Sequence, residues 1–343
     1  MDFLKRANHL LFFLLVILLV MYYASTLLIP LTFGLFLAML IVPFTSFLEK
    51  HKCNTLLASF ISTLSLFILL GILSFIFIYQ IILFADQLPG IRDEIQSGIA
   101  SAQQQIAAAS GLSLEELHNI IERQTSNLWV TIESRLATFI GGVLYFALRF
   151  LLVFVYVFLI LLYREKFINF MIELYSSEQK KKNARDALQK IGNVVHQYLW
   201  GRIQVMFLLA VMYIVTFLIF GLPFAVLVAL FGALLTIIPY IGPLLSGVLP
   251  IAFAFVFFED LQFILFFTAI VVLIQLIESY VFEPLIMGRE LELNALTVII
   301  AIIVGGIIWG IAGMILFVPI FATLKIISNH HSDLKPLGSL MSR

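Results

Sequence analysis

The sequence is poor in charge and poorer still in cysteine. Of its 343 residues only 12% are Asp, Glu, Lys or Arg, about half the fraction usual in soluble domains. Basic and acidic residues number 20 each, so net charge provides no footprint for nucleic acid. A lone cysteine, Cys53, excludes an intramolecular disulfide and reads as an inert thiol. No cysteine–histidine cluster has zinc-site spacing, so neither a metal nor another cofactor is expected. The phosphate-cradling pattern GxxxxGKS or GxxxxGKT is missing, which argues against ATP hydrolysis. These gaps point away from an enzyme.

What is present is apolar. Hydrophobic residues make up 62% of the chain, and Phe alone contributes 34 residues. A soluble domain cannot hide that much apolar surface, so the chain reads as an all-α, polytopic integral membrane protein. Lys5 and Arg6 before an apolar run resemble a signal peptide, but the run continues to about Val42 and reads as a retained span. About 20 apolar residues cross a bilayer as helix. Candidate spans are Leu10–Leu28, Leu31–Leu48 after a break at Pro30, Leu56–Phe84, Phe139–Tyr163, Ile203–Phe220 and Leu261–Phe282. The first two are expected to form a tight hairpin. Phe224–Ile238 and Leu244–Phe258 are short, whereas Ala295–Ile327 is too long for one simple crossing and full of glycine.

Lysine and arginine set the expected sidedness. Lys5 and Arg6, Lys50 and Lys52, and the basic segment containing Arg164, Lys166, Lys180, Lys181, Lys182, Arg185, Lys190 and Arg202 share one side if the first four spans each cross. The positive-inside rule makes that side cytoplasmic, with the N-terminus on it. Lys325, Lys335 and Arg343 favour a cytoplasmic C-terminus too, which requires 295–327 to fold back as a broken hairpin. The resulting division is 1–85 with three spans, 86–138 as an extracytoplasmic helical region, 139–163 as the fourth span, 164–202 as a cytoplasmic basic region, 203–327 as the transport core and 328–343 as a cytoplasmic tail.

The extracytoplasmic region carries Leu117, Ile120, Ile121, Leu128, Ile132 and Leu136 at roughly helical spacing, after Ser113 and Glu116 in a capping-box pattern. A cap over a pathway, a structural hairpin and an oligomer contact all fit. In the basic region, Ile191, Val194, Val195, Tyr198 and Leu199 share a helix face that could lie on the membrane or dock beneath the bundle.

Candidate functional residues concentrate in 224–327. Pro239, Gly242 and Pro243 interrupt an apolar run at TIIPYIGP. Lipid tolerates opened backbone only where protein or a water-filled cavity satisfies it, and transporters bind solutes at such broken helices. A kink followed by an ordinary loop is the plainer alternative. Tyr240 could contribute a hydroxyl or anchor at the interface. Gln275 and Glu278 share one α-helical face. Glu283, five residues beyond Glu278, faces elsewhere unless the helix breaks at Pro284. Glu278 is a candidate for transport or proton coupling, or for an interhelical hydrogen bond. Arg149 lies about ten residues from either end of its span, too deep to snorkel, and is expected to pair with an acid such as Glu278 or Glu283 or to contact cargo. Arg289, Glu290 and Glu292 read as solvated. Gly305, Gly306, Gly310 and Gly313, with Gly306 and Gly310 at four-residue spacing, suit close helix packing or a re-entrant bend.

The pieces IPYIGPLLSGVLP at 238–250, QLIESYVFEPLIMGRELELNALTVII at 275–300 and GGIIWGIAGMILFVPIFATLKII at 305–327 are similar to those of the AI-2E family of transporters, the PerM-like permeases. The resemblance runs over essentially the whole chain and includes Pro239, Gly242, Pro243, Glu278, Pro284 and Gly288. A histidine–proline pair often follows EPxxMG in that family; Asn294 and Ala295 stand here, which weakens any role tied to the histidine. The resemblance implies a bacterial inner-membrane protein of about eight transmembrane helices, with broken or re-entrant segments in the C-terminal half and both termini cytoplasmic. It also implies export of a small polar solute such as autoinducer-2, or sodium (lithium)/proton antiport with Glu278 exchanging a proton for a monovalent cation. A channel and a membrane scaffold are the rival classes. Expected partners are that solute or cation, membrane lipid and a second copy of the chain, but no nucleic acid.

Overall fold

The structure, a computed structural model, describes residues 12, 16–110, 129–287, 293–330 and 334–342, with the backbone alone described over 93–110. Lys5, Arg6, the Ser113–Glu116 pair, Leu117, Ile120, Ile121, Leu128, Gly288, Arg289, Glu290 and Glu292 lie outside the described residues. In chain order the helices are α1 (Ser25–Lys50), α2 (Thr55–Ser110), α3 (Val143–Glu173), α4 (Glu178–Ile219), α5 (Ala225–Leu235), α6 (Ile241–Phe257), α7 (Leu261–Ile277), a π-helix (Glu278–Met287), α8 (Ala295–Trp309), α9 (Ile311–His330) and α10 (Lys335–Met341). Six of the described helices are long and apolar enough to cross a membrane: α1, α2 over Thr55–Arg92, α3, α4, α7 with the π-helix, and α9. Three more, α5, α6 and α8, are apolar but shorter. The chain is thus an all-α polytopic membrane protein.

Pro30 does not break the first helix. Residues 16–23 are helical, and the ladder runs on through Ala24, whose amide bonds the Val20 carbonyl and whose carbonyl accepts from Leu28, both at 2.9 Å. Residues 16–50 are therefore one bent helix, not the tight hairpin expected at Pro30. Burial explains the exception. Pro30 and Gly34 are buried inside α1, and a Cβ on Gly34 would stand 2.7 Å from Tyr156 Cβ of α3. Packing that close holds the helix in spite of the lost N–H. The real hairpin follows Lys50, where Lys52 takes a positive φ of 69° and Asn54 accepts the Leu57 amide at 2.8 Å to start α2.

Several expected spans are parts of longer helices. α2 has 56 residues, about 84 Å of helix against a hydrocarbon core of about 30 Å. It passes Phe84 and Pro89 without stopping. Helix 129–141 leads through a turn at Gly142 into α3. The two are joined beyond the expected membrane segment by Leu88 and Ile91 on α2 packing near Trp129 and Leu136. α4 has 42 residues, capped by Ser177, and makes the basic segment and the fifth expected span one rod. Its buried face reads Ile191, Val195, Tyr198, Arg202, Val205, Leu209, Tyr213 and Phe217, the three- and four-residue spacing of an amphipathic helix. The segment 191–199 docks into protein: Ile191, Val195 and Tyr198 share a core with Phe36 of α1 and Phe317 of α9.

α4 is the spine of the C-terminal half. Leu209, Tyr213 and Phe217 pack on Ala229 of α5 and on Phe267 and Val271 of α7. A separate, smaller core joins Ala38 of α1, Leu66 and Phe67 of α2, and Val157 and Leu161 of α3.

Candidate functional site

The break between α5 and α6 is tight and strained. Tyr240 adopts φ 64° and ψ −51°, and the Ile241 amide bonds the Pro239 carbonyl two residues back at 2.7 Å. This is a γ-turn of the rare positive-φ kind. Such backbone costs on the order of 1–3 kcal/mol in a non-glycine residue. Gly242 follows because nothing larger fits: a Cβ there would lie 2.1 Å from the Leu235 carbonyl oxygen. Pro243 enters the first turn of α6, where its missing N–H costs least. The Tyr240 side chain itself is exposed.

The broken unit is tied to its neighbours by a buried polar network. Gln275 on α7 donates through Nε2 to Ser246 Oγ on α6 at 2.8 Å, and also to the Tyr213 hydroxyl on α4. Tyr213 in turn donates to the Ser246 carbonyl at 3.2 Å, and Ser246 Oγ donates to the Pro243 carbonyl at 3.1 Å. Tyr213 and Ser246 are fully buried. The network spends Gln275 on three helices and returns one carbonyl of the broken turn to a partner.

One turn further on, α7 widens into the π-helix. In a π-helix each amide reaches back five residues, so residues five apart stack. Glu278 and Glu283, which an α-helix would turn apart, therefore come onto one side without any break at Pro284. Across from them stands Arg202 of α4. Its Nη1 pairs with Glu283 Oε1 at 2.9 Å, and the side chain is 4% exposed. Gly201 makes this approach close, since a Cβ there would be 3.3 Å from Met287 Cγ. Glu278 is completely buried. Neither of its carboxyl oxygens has a hydrogen-bond partner, and neither do Nε and Nη2 of Arg202. Glu278 nonetheless lies in the electrostatic range of Arg202, Glu283 and Tyr213. Two acids thus share one guanidinium in a water-poor setting, and one acid has no hydrogen bond. Chemically this can hold and release a single positive charge.

Arg149 is elsewhere. It is exposed on α3, bonded to the Tyr145 hydroxyl, with its guanidinium carbon 4.5 Å from that ring's centroid. Glu283 pairs with Arg202 instead. Arg202 reads in sequence as the end of a basic segment, and Tyr213 and Ser246 as parts of apolar runs. Their signal was periodicity: Arg202 and Tyr213 continue the face begun by Ile191 and Val195.

The glycine-rich block forms a hairpin of α8 and α9 about Gly310, whose φ 61° and ψ −140° suit glycine alone. Gly305 meets Gly313 backbone to backbone: a Cβ on Gly313 would be 1.9 Å from the Gly305 oxygen. Gly306 faces the Met314 side chain. At the tip of α8, Trp309 donates its indole N–H to the Met21 carbonyl at 2.8 Å. Nearby, an apolar cavity of about 330 Å³ is lined by Met21, Leu35, Phe36, Ile191, Trp309 and Ile320, among others, and by none of the Glu278 group.

With the fold and this geometry in hand, comparison with known proteins decides the family. A model of the AI-2E family transporter matches residues 11–333. The chain belongs to the AI-2E transporter family. Among its relatives, the putative transport protein YueF of Bacillus subtilis is 25% identical over 316 residues, covering 88% of this chain and 84% of YueF. The putative transport protein YrrI of the same organism is 29% identical over 150 residues, covering 44% of this chain and 42% of YrrI. The AI-2 transport protein TqsA of Escherichia coli is 34% identical over 119 residues, covering 35% of this chain and 34% of TqsA. As an AI-2E permease the chain is a polytopic inner-membrane secondary transporter of a small solute.

Proposed function

We propose that this AI-2E permease couples export of a small polar solute, with autoinducer-2 as first candidate, to proton movement through Glu278. Glu278 carries the proposal: a fully buried carboxyl group in an apolar bundle, with no hydrogen bond on either oxygen. A charge in that position is expensive, and neutralisation by a proton relieves the cost. The adjoining Tyr213–Ser246–Gln275 network at the broken helix supplies hydroxyl, amide and carbonyl groups of the kind a polyhydroxylated cargo requires. The similarity to TqsA supports autoinducer-2 as that cargo. We take residues 203–327 as the transport core.

The test is reconstitution. In proteoliposomes with an imposed pH gradient, autoinducer-2 accumulation should follow the gradient, and Glu278→Gln should lower proton-driven accumulation at least tenfold. Gradient-independent accumulation that Glu278→Gln leaves intact would reject the coupling. Sodium or lithium exchange for protons is the second reading, favoured by two carboxylates sharing one guanidinium. Cation-dependent proton flux without autoinducer-2 movement would make it the first.

The topology follows the same charges. The Glu49–Arg164 ion pair supports a common, cytoplasmic side for Lys50, Lys52 and the basic segment 164–190. The bridge from Leu293 to Ser342 holds the C-terminal helix near the end of the π-helix and supports a cytoplasmic C-terminus. A cytoplasmic N-terminus needed two crossings before Lys50; one bent helix supports a single crossing and an N-terminus on the outer face. Topology reporters fused at each end distinguish these arrangements.

A further inference from the structure

We infer that Arg202 is a switching counter-ion, resting on Glu283 while Glu278 is neutral and turning to Glu278 when Glu278 becomes charged. The inference rests on the reading of Glu278 as the coupling group. It adds a positioning residue that decides how much charge the site carries.

Three observations support it. Arg202 is 3% exposed yet uses only Nη1 in its ion pair, with Nε and Nη2 buried and unpartnered. A guanidinium is built to engage two oxygens at once, so a pairing through Nη1 alone leaves capacity to spare. Both Glu278 oxygens are also buried and unpartnered. The unsatisfied donors and acceptors belong to side chains in electrostatic range of one another. Finally, the π-helix stacks Glu278 and Glu283 on the side that faces α4, so the change of partner needs rotation of one side chain and no movement of a helix.

Charge counting gives the consequence. The elements packed on the π-helix are α4 and α7. α4 contributes Arg202, Tyr198 and Tyr213; α7 contributes the uncharged Gln275; the π-helix itself contributes Glu283. With one guanidinium and two carboxyl groups, the cluster is neutral when Glu278 holds one proton and carries one negative charge when it does not. The exchangeable ligand is therefore a single monovalent cation, the proton or an alkali ion in its place. In the deprotonated state Arg202 satisfies Glu278, while Glu283, whose side chain is 39% exposed, can be solvated.

The experiment is made on the whole protein in lipid nanodiscs. Infrared difference titration, assigned with Glu278→Gln, identifies the pH at which the Glu278 carboxyl band disappears. Cryo-electron microscopy on either side of that pH then locates the guanidinium. The expected result is Arg202 on Glu283 below it and within hydrogen-bond reach of Glu278 above it. In Glu283→Gln, Arg202 should rest on Glu278 already at neutral pH, with the proton affinity of Glu278 at least tenfold lower. Arg202 staying on Glu283 alone while Glu278 is charged overturns the inference, as does a Glu278 band that never titrates over the range in which the protein remains folded. Observation of the switch in a protein that shows no flux of autoinducer-2, sodium or lithium would sink the transport reading and leave this inference standing.

Discussion

Arg149 and Arg202 each interrupt an apolar helix, and they fall in two different kinds of region. Arg149 sits on α3, where only 6% of the most apolar stretch is buried, and its charge is met by its own neighbour Tyr145 one turn away. Arg202 sits on the spine of the C-terminal half, pinned between tightly approached helices and paired with Glu283 from another element. The same contrast holds for whole helices. α9 buries half of its apolar stretch, while α2 buries 11%. α2 and α3 present Leu, Ile and Phe outward, as lipid contact or contact with another apolar surface demands. Polar residues in the exposed helices are met locally; those in the core are met by other helices, and only there are partners left over. Unsatisfied polar groups in a packed interior are the more informative signal of function.

The comparison can be broken first at the arginines. Arg202→Ala should destabilise the folded protein by about 3–5 kcal/mol, because it strands a buried carboxylate, and this is read as a large fall in Tm in nanodiscs. Gly313→Val should cost about 3 kcal/mol or more by forcing α8 from α9, visible as loss of monodisperse protein after extraction. At the γ-turn, Tyr240→Gly should stabilise by about 1 kcal/mol, since glycine takes positive φ without penalty; a lower Tm would show that the turn is not strained. On the exposed side, Arg149→Ala and Leu151→Ala should change stability by less than about 0.5 kcal/mol. A loss at Arg149 as large as that at Arg202 would erase the distinction between the two regions.

Much of the core was legible because its signals are local. Pro239, Gly242 and Pro243 cannot continue a helix, and the structure breaks there. Gly310 and its neighbouring glycines predict a hairpin bend, and α8 and α9 turn there. Gln275 and Glu278 stand out by polarity alone. The features that were missed depend on tertiary contacts. Pro30 reads as a break because local rules ignore the Gly34–Tyr156 approach that holds its helix together. Arg202 reads as one more cytoplasmic cation because its partner lies 81 residues away. The expected Gly306–Gly310 pair gives way to Gly305 against Gly313, a choice made by the hairpin rather than by spacing along one helix. The π-helix has no signature in residue pattern, so Glu283 was assigned to the wrong side of its helix axis.

That wide helix also has mechanical consequences. A π-helical turn stores slack: the segment Glu278–Met287 can tighten to α-helix without unravelling. Because residues five apart stack in one form and point well away from each other in the other, tightening would swing Glu283 relative to Glu278 by about a quarter turn. Pro284, with no amide hydrogen to lose, lowers the cost of changing register at that point. The segment is thus a torsional coupling, able to separate two charges by twisting while the ends of the surrounding bundle stay where they are.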